Sequence, residues 1–416
     1  MPNSESPPSL HPLHRLWHLL PVRQRRTLLA HGTALVAPRP DRHPPPPRAG
    51  MVVGGELTRA SGLGEAARLM ERAIAGLGVA TWRADTGTGL PGGAPTPALP
   101  DGVPDGAPLL LHANAPVLPW ALLRLPSGIV RGRRVIGYWA WELPVVPEAW
   151  RIGLGFVHEI WALSHFTADA LRIWLPPGSD IVVRTVPIPI AVTPPEPAPL
   201  DRTAFGLPEA AVVVLVSFSL ASSNVRKNPL GAVRAFRTAF GDRADRILVL
   251  KVANPGHFPA EFATLREAVS GFPNVRLETR TLPRADNHAL TACADIVLSL
   301  HRSEGFGLVP AEAMLLGRPV VATGWSGNMD FMDADSAALI GYRLVAAHDP
   351  RGVFEAPGAV WAEPDLAEAA AALRGLADDP AARSALGARG QALARQRLGD
   401  GPLAAALRAL GLVQPA

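Results

Sequence analysis

Apolar and polar positions divide the chain into two stretches of alternating strand-like and helix-like pattern. The first opens on the apolar run MVVGG at residues 51–55, which meets a glycine loop. A helical pattern follows, with apolar residues at Leu63, Ala67, Met70, Ile74 and Leu77, closed by Gly76 and Gly78. This is the first β–loop–α unit of a doubly wound sheet. More strand-like runs come after it: APLLLHANA, RVIGYWAWEL, HEIWALS and DIVVRTVPIPI. The proline-rich AVTPPEPAPLDR then marks a domain boundary.

The second stretch alternates more regularly. Strand AVVVLVSF leads through the loop SLASSNVRKN to a helix from Pro229. Strand RILVLKV, a helix around 259–270, strand VRLET and a helix near 284–293 follow. Strand DIVLSL, a second loop, a helix from Pro310 and strand RPVVATG complete the pattern. The remainder is helical, with a break near Pro380. Short apolar strands alternating with helices predict an α/β fold with parallel sheets covered on both faces. The predicted organisation is a basic, proline-rich extension over 1–48 and Rossmann-like domains over 49–195 and 196–395. A helical tail covers 396–416. Ligands of such sheets sit beyond the carboxyl ends of the strands, which is where residues 219–228 and 300–309 fall.

Composition adjusts this picture in a few places. At 416 residues the chain exceeds one ordinary core, in keeping with two domains. A formal charge of +4 is small for this length and gives no argument for a nucleic-acid partner. The single cysteine, Cys293, excludes an intrachain disulfide. No run of 18 apolar residues occurs, and the N-terminus lacks a continuous apolar signal region, so a cytoplasmic location is expected. Residues 10–31 mix leucine, Trp17 and arginine, with Pro21 splitting the amphipathic pattern. Three readings stay open there: an interfacial helix at the inner face of an anionic membrane, a helix docked on the first domain, or disorder. Lysine is nearly absent. Lys227 and Lys251 are the two lysines among 40 basic residues, which suggests that both positions need a compact ammonium.

The candidate chemistry lies in EGFGLVPAEAM, residues 304–314. Gly305 and Gly307 free backbone N–H groups for close approach, and a loop running into a helix N-terminus suits an anion. Yet Glu304 and Glu312 bracket this loop, eight positions apart. A carboxylate beside a phosphate is unfavourable unless it binds something else. A nucleotide sugar resolves the conflict: hydroxyls at its two ends can meet the glutamates. Its diphosphate can meet the N–H groups near Gly307 and Leu308, with Arg226 and Lys227 from the other loop.

The segment SEGFGLVPAEAMLLGRPVVATGWSGNMDFM, with its E-x7-E spacing, resembles the donor signature of glycosyltransferase family 4. FSLASSNVRKNPLGAVRAF resembles that family's basic phosphate loop. The resemblance implies the GT-B fold, two Rossmann-like domains facing across a cleft. It also implies anomer-retaining transfer of a hexose from a nucleotide sugar to a glycan or glycolipid acceptor, without metal or cofactor. In keeping with that, no D-x-D stands at a strand end, and the Asp333-Ala-Asp335 triplet lies past the site. By resemblance, Glu304 binds the donor sugar beside Phe306 and Gly307, and Glu312 binds the ribose. Arg226 and Lys227 stabilise the leaving diphosphate, and Gly62 and Gly64 let the first domain approach it. The family often has a histidine near the sugar. Here GYWAWELP offers Trp139, Trp141 and Glu142 instead, with His112 the other candidate.

Plainer roles compete with these. Glu312 can cap its helix, Glu304 can pair with Arg302 or Arg318, Arg226 and Lys227 can be solvated, and His112 and the tryptophans can be core. Two other functions also stay open: a nucleotide-sugar 2-epimerase-like enzyme, and a non-catalytic sugar-nucleotide-binding partner.

Overall fold

The computed structural model describes residues 22–59, 61–87, 101–126 and 128–414. The first domain is a six-stranded parallel sheet: β1 (Met51–Gly55), β2 (Thr81–Asp85), β3 (Leu109–His112), β4 (Val135–Trp139), β5 (Glu159–Ala162) and β6 (Val182–Thr185). Its strand order is β2-β1-β3-β4-β5-β6. The second sheet comprises β7 (Val212–Ser219), β8 (Arg246–Ala253), β9 (Val275–Glu278), β10 (Ile296–Ser299), β11 (Val320–Thr323) and β12 (Ala338–Ile340). They run in the order β12-β11-β10-β7-β8-β9, again all parallel. An antiparallel pair, β13 (Tyr342–Ala346) and β14 (Val360–Pro364), follows it.

Alternation along each strand decides which core a residue joins. In β1, Met51 and Val53 enter a core with helix Gly62–Gly76, whereas Val52 faces the opposite layer with Leu109, Leu111 and Val135. The first of these cores continues into the second domain. It takes in Val213 and Leu215 of β7, helix Leu308–Leu315, and Leu403 and Leu407 of the C-terminal helix Gly401–Ala409. The tail beyond residue 396 is therefore packed into this shared core, and Ala191 donates its N–H to the Leu398 carbonyl at 3.0 Å.

Two features differ from the sequence expectation. Strands β2, β12, β13 and β14 are short or half-exposed, so they carry no strong apolar run; β2 reads TWRAD at a sheet edge. The extension is also not separate from the first domain. Helix Val22–Val36 buries Ala30 and Ala34, and Ala34 and Ala37 join the outer core of the first sheet. Asp41 accepts from Gly132 N–H at 2.7 Å, and its carbonyl meets His158 Nε2 at 2.7 Å. Of residues 10–31, the part from Val22 is thus docked on protein, and 10–21 lie outside the described residues. Among the described residues no helix is long and apolar enough to cross a membrane.

For the residues from Val22 on, these contacts match the reading of a helix docked on the first domain. Deleting residues 1–48 should lower Tm by at least about 3 °C, read by circular dichroism. An unchanged Tm would show that the docking adds no stability.

Candidate active site

Two loops at the carboxyl edge of the second sheet are locked together through their backbones. After β7 the chain turns through Ser223, at φ +66°, whose hydroxyl accepts from Arg226 N–H. Asn228, at φ +53°, ends that turn and caps helix Pro229–Phe240 by accepting from Gly231 N–H at 3.2 Å. Its amide also donates to the Leu300 carbonyl at 2.9 Å, and Arg302 N–H donates to the Arg226 carbonyl at 2.8 Å. Arg226 and Lys227 are thereby held beside Ser303 and Glu304.

Glu304 pairs with neither Arg302 nor Arg318. Its carboxylate takes Arg226 Nη1 at 3.1 Å and the Lys227 ammonium in a short contact. Arg226 is nearly consumed by this arrangement: Nη1 also donates to the Ser303 carbonyl at 2.7 Å and Nη2 to the Ser222 carbonyl at 3.0 Å. With 3% of its side chain exposed, it holds Glu304 in place more than it faces solvent. Lys227, 20% exposed, lines a small recess with Ser217, Phe218, Ser299, Glu304 and the helix-start residues Leu308 to Pro310. Burial alone would raise the Glu304 pKa, but Lys227 and Arg226 overcome it and hold it at about 2. Burial lowers the Lys227 ammonium, against the pull of Glu304. We take the pair as ionised, because each charge is the other's nearest compensation.

Below the pair runs a buried polar network. His301 is fully buried, with Nδ1 3.0 Å from Ser299 Oγ and Nε2 3.0 Å from Asn328 Oδ1. Burial lowers its pKa despite nearby Glu304, so it serves as a neutral strut. Ser326 Oγ accepts from Glu304 N–H at 2.8 Å. Gly327 packs so closely that a Cβ there would sit 2.1 Å from the Gly305 carbonyl oxygen. Gly307, at φ +97°, turns the chain into helix Leu308–Leu315. Leu308, Val309 and Pro310 of that first turn line the recess, and the first N–H groups of a helix have no partner within it. None of His301, Ser326 or Asn328 was given a role from sequence, although the last two lie within the segment that carries the resemblance; only the fold brings the three together.

The first domain closes the other side. The Trp141 carbonyl lies 3.1 Å from where a Gly305 Cβ would be, and the Glu142 carbonyl accepts the Ser303 hydroxyl. The Glu142 side chain stands 3.6 Å from Arg226 Nη2 and remains 21% exposed in the cleft. Burial raises its pKa and Arg226 opposes that rise. Glu142 is therefore the first-domain candidate that reaches the site. The others do not. Trp139 is fully buried against Trp150, and Trp141 donates Nε1–H to the Val145 carbonyl while its ring stacks on Phe354. His112 is 2% exposed, and neither ring nitrogen makes a well-formed hydrogen bond, although the Gly54 backbone lies close. Burial, offset only in part by the Gly54 backbone, brings its pKa down to about 3, which removes it as a proton carrier near neutrality. These three are core residues, and large apolar surface outweighs any ligand role there.

The remaining candidates divide. Phe306 is buried against Phe331. Gly62 starts its helix in open space, whereas Gly64 is required by its own loop, since a Cβ would meet the Glu56 carbonyl at 2.5 Å. Glu312 sits in the fifth position of its helix, so it is no cap; Gly307 holds the cap position. His288 Nδ1 accepts from Glu196 N–H at 3.1 Å, which leaves Nε2–H facing Glu312 at 3.4 Å. Asp333 caps a local turn by accepting from Asp335 and Ser336 N–H.

Comparison with known proteins agrees with this geometry. Residues 220–362, which hold Arg226, Lys227, both glutamates and β13, match the family model described as glycosyl transferases group 1. A search of curated protein sequences finds no match. Among solved structures, Thermosynechococcus elongatus sucrose-phosphate synthase superposes with a TM-score of 0.61 at 15% identity, covering 88% of this chain and 98% of that one. Anabaena HepE, solved with UDP and glucose, gives 0.58 at 14% identity, covering 87% and 100%. WaaG, a glycosyltransferase of lipopolysaccharide biosynthesis, gives 0.54 at 16% identity, covering 89% and 100%. The architecture is that of the GT-B glycosyltransferases, and the second domain carries the group 1 match.

Glu304→Gln leaves two buried cations without their counterion and should cost about 3 kcal/mol of stability at pH 7. The folded carboxyl titrates below its ordinary value of about 4.3, so its contribution is present above that pH and fades as pH falls toward 2. Urea unfolding at pH 7 and pH 3 checks this: the wild-type advantage should shrink at pH 3, and a constant advantage would contradict the ion-pair account.

Proposed function

We propose that this protein transfers a hexose from a nucleotide-diphosphate sugar to a glycan or lipid-linked acceptor, with retention at the anomeric carbon. The observation that carries the reading is one recess lined by Lys227, Glu304 and the start of helix Leu308–Leu315. Glu312 stands on the same helix. A diphosphate suits the ammonium and the helix-start N–H groups, and a carboxylate alongside suits sugar hydroxyls. The donor class is carried over from HepE, whose structure holds UDP and glucose.

The sequence suggested that the bases take the phosphates while the glutamates take hydroxyls. Without a donor, Lys227 and Glu304 hold each other. In our reading the donor parts them: Lys227 turns to the diphosphate, Glu304 keeps Arg226 and accepts from a sugar hydroxyl, and Glu312 accepts from the ribose. As the glycosidic bond breaks, negative charge grows on the leaving diphosphate. Once turned from Glu304, Lys227 meets that charge together with the start of helix Leu308–Leu315, and positive charge in place before the bond breaks is where most stabilisation arises. With an ammonium brought to the leaving group, we propose that no divalent metal is needed, and that the acceptor enters from the Glu142 side.

Candidate UDP-, GDP-, dTDP- and ADP-sugars assayed for transfer to glycan acceptors test the reading. Transfer from none would remove it. Lys227→Ala should lower kcat by about 100-fold or more while raising KM much less. Lys227→Arg should recover part of that loss, because a planar fork places its charge elsewhere. Equal kcat in all three proteins would take Lys227 out of the reaction. A chelator should leave the rate unchanged, and an absolute magnesium or manganese requirement would refute the metal-free scheme.

A further inference from the structure

Arg226 and Lys227 face two carboxylates, Glu304 and Glu142, so the cluster carries no net charge. Two other ionisable groups lie near. His301, on the donor-loop side, is held by Ser299 and Asn328. Asp349, behind Arg226, is a further carboxylate; it accepts from Ser223 Oγ at 3.2 Å and from the Val353 and Phe354 N–H groups, and has Arg26 and Arg351 as cationic neighbours of its own. A diphosphate brings two further negative charges into this half-buried cleft. Like charges gathered at low dielectric raise the proton affinity of whichever carboxylate is held least.

The two carboxylates are not held equally. Glu304 has Arg226 at 3.1 Å, Lys227 in a short contact, and its own N–H bonded to Ser326. Among the described residues, the Glu142 carboxylate accepts no hydrogen bond from another residue; its nearest cation there, Arg226 Nη2, is 3.6 Å away, beyond hydrogen-bond length. Its backbone is fixed against Ser303, so the carboxyl group stays at the cleft. Burial raises its pKa, with Arg226 opposing.

Resting on the donor-binding role proposed above, we infer that Glu142 takes up a proton when the donor diphosphate enters. The carboxyl group then changes from acceptor to donor, and its O–H is available to a phosphate or sugar oxygen. Donor binding is thereby coupled to pH: affinity weakens as pH rises, because the complex holds one more proton than its separate parts.

Titration calorimetry on the full chain tests this, with UDP-glucose, GDP-mannose, dTDP-glucose and ADP-glucose at pH 7 in two buffers of different ionisation enthalpy. The diphosphate diesters of these probes do not titrate near neutrality, so any uptake belongs to the protein. For a probe that binds, wild type should take up on the order of half a proton or more, and Kd should rise by up to about tenfold per pH unit above pH 7. Glu142→Gln, with its fold confirmed by circular dichroism, should abolish the uptake and bind more tightly than wild type at pH 8. Glu142→Asp should retain the uptake. Wild-type binding without uptake overturns the inference and leaves the proposed function standing, as does uptake that survives in Glu142→Gln. Binding of none of the four probes overturns the proposed function and this inference with it.

Discussion

A carboxylate removed from water must find positive charge, and Glu304 finds it in two neighbours at once. Much of the second domain's carboxyl edge is arranged around that demand. Ser223 and Asn228 adopt positive φ so that the chain can present Arg226 and Lys227 in succession. Backbone bonds from Arg302 and Gly327 fix the strand end that carries Glu304. His301 supports the same loop from below without adding charge. The strained turns and the small residues are therefore parts of one arrangement, whose centre is a buried anion kept ionised.

That arrangement has a functional side. An ammonium neutralised by its own glutamate attracts stray phosphate weakly. A ligand that offers hydroxyls to the carboxylate together with phosphate to the ammonium satisfies both partners when it separates them. On the function proposed above, selectivity for a composite ligand would follow from the Lys227–Glu304 pair itself, before any shape complementarity is counted.

Most of the fold was legible because parallel strands are buried on both faces and read as plain apolar runs. AVVVLVSF and DIVLSL could hardly be otherwise placed. TWRAD and β13 were missed, since an exposed strand needs no such run; β14, VWAEP, is buried but offers too short an apolar run to stand out. At the site, Glu304, Lys227 and Arg226 were legible from residue type and spacing, but their mutual pairing was not. Residues 77 and 78 positions apart in sequence meet through topology. His112, Trp139 and Trp141 misled for the opposite reason: ring-bearing residues near a strand end look alike whether they face a ligand or the core. Only burial separates them from Glu142.

Phe354 carries a different consequence. It lies between Trp141, whose ring it stacks on at 5.5 Å, and Arg226, whose guanidinium carbon is 5.0 Å from its ring centre. With Ala359 and Trp361 it completes the outer core of the first sheet, although all three come from the far end of the second domain. A growing chain that has emerged through residue 195 therefore holds every strand of its first sheet while part of that sheet's apolar covering is still to be synthesised. Domains usually fold in order as they leave the ribosome. Here part of the first domain's covering comes only with the second, on the same segment that seats Arg226.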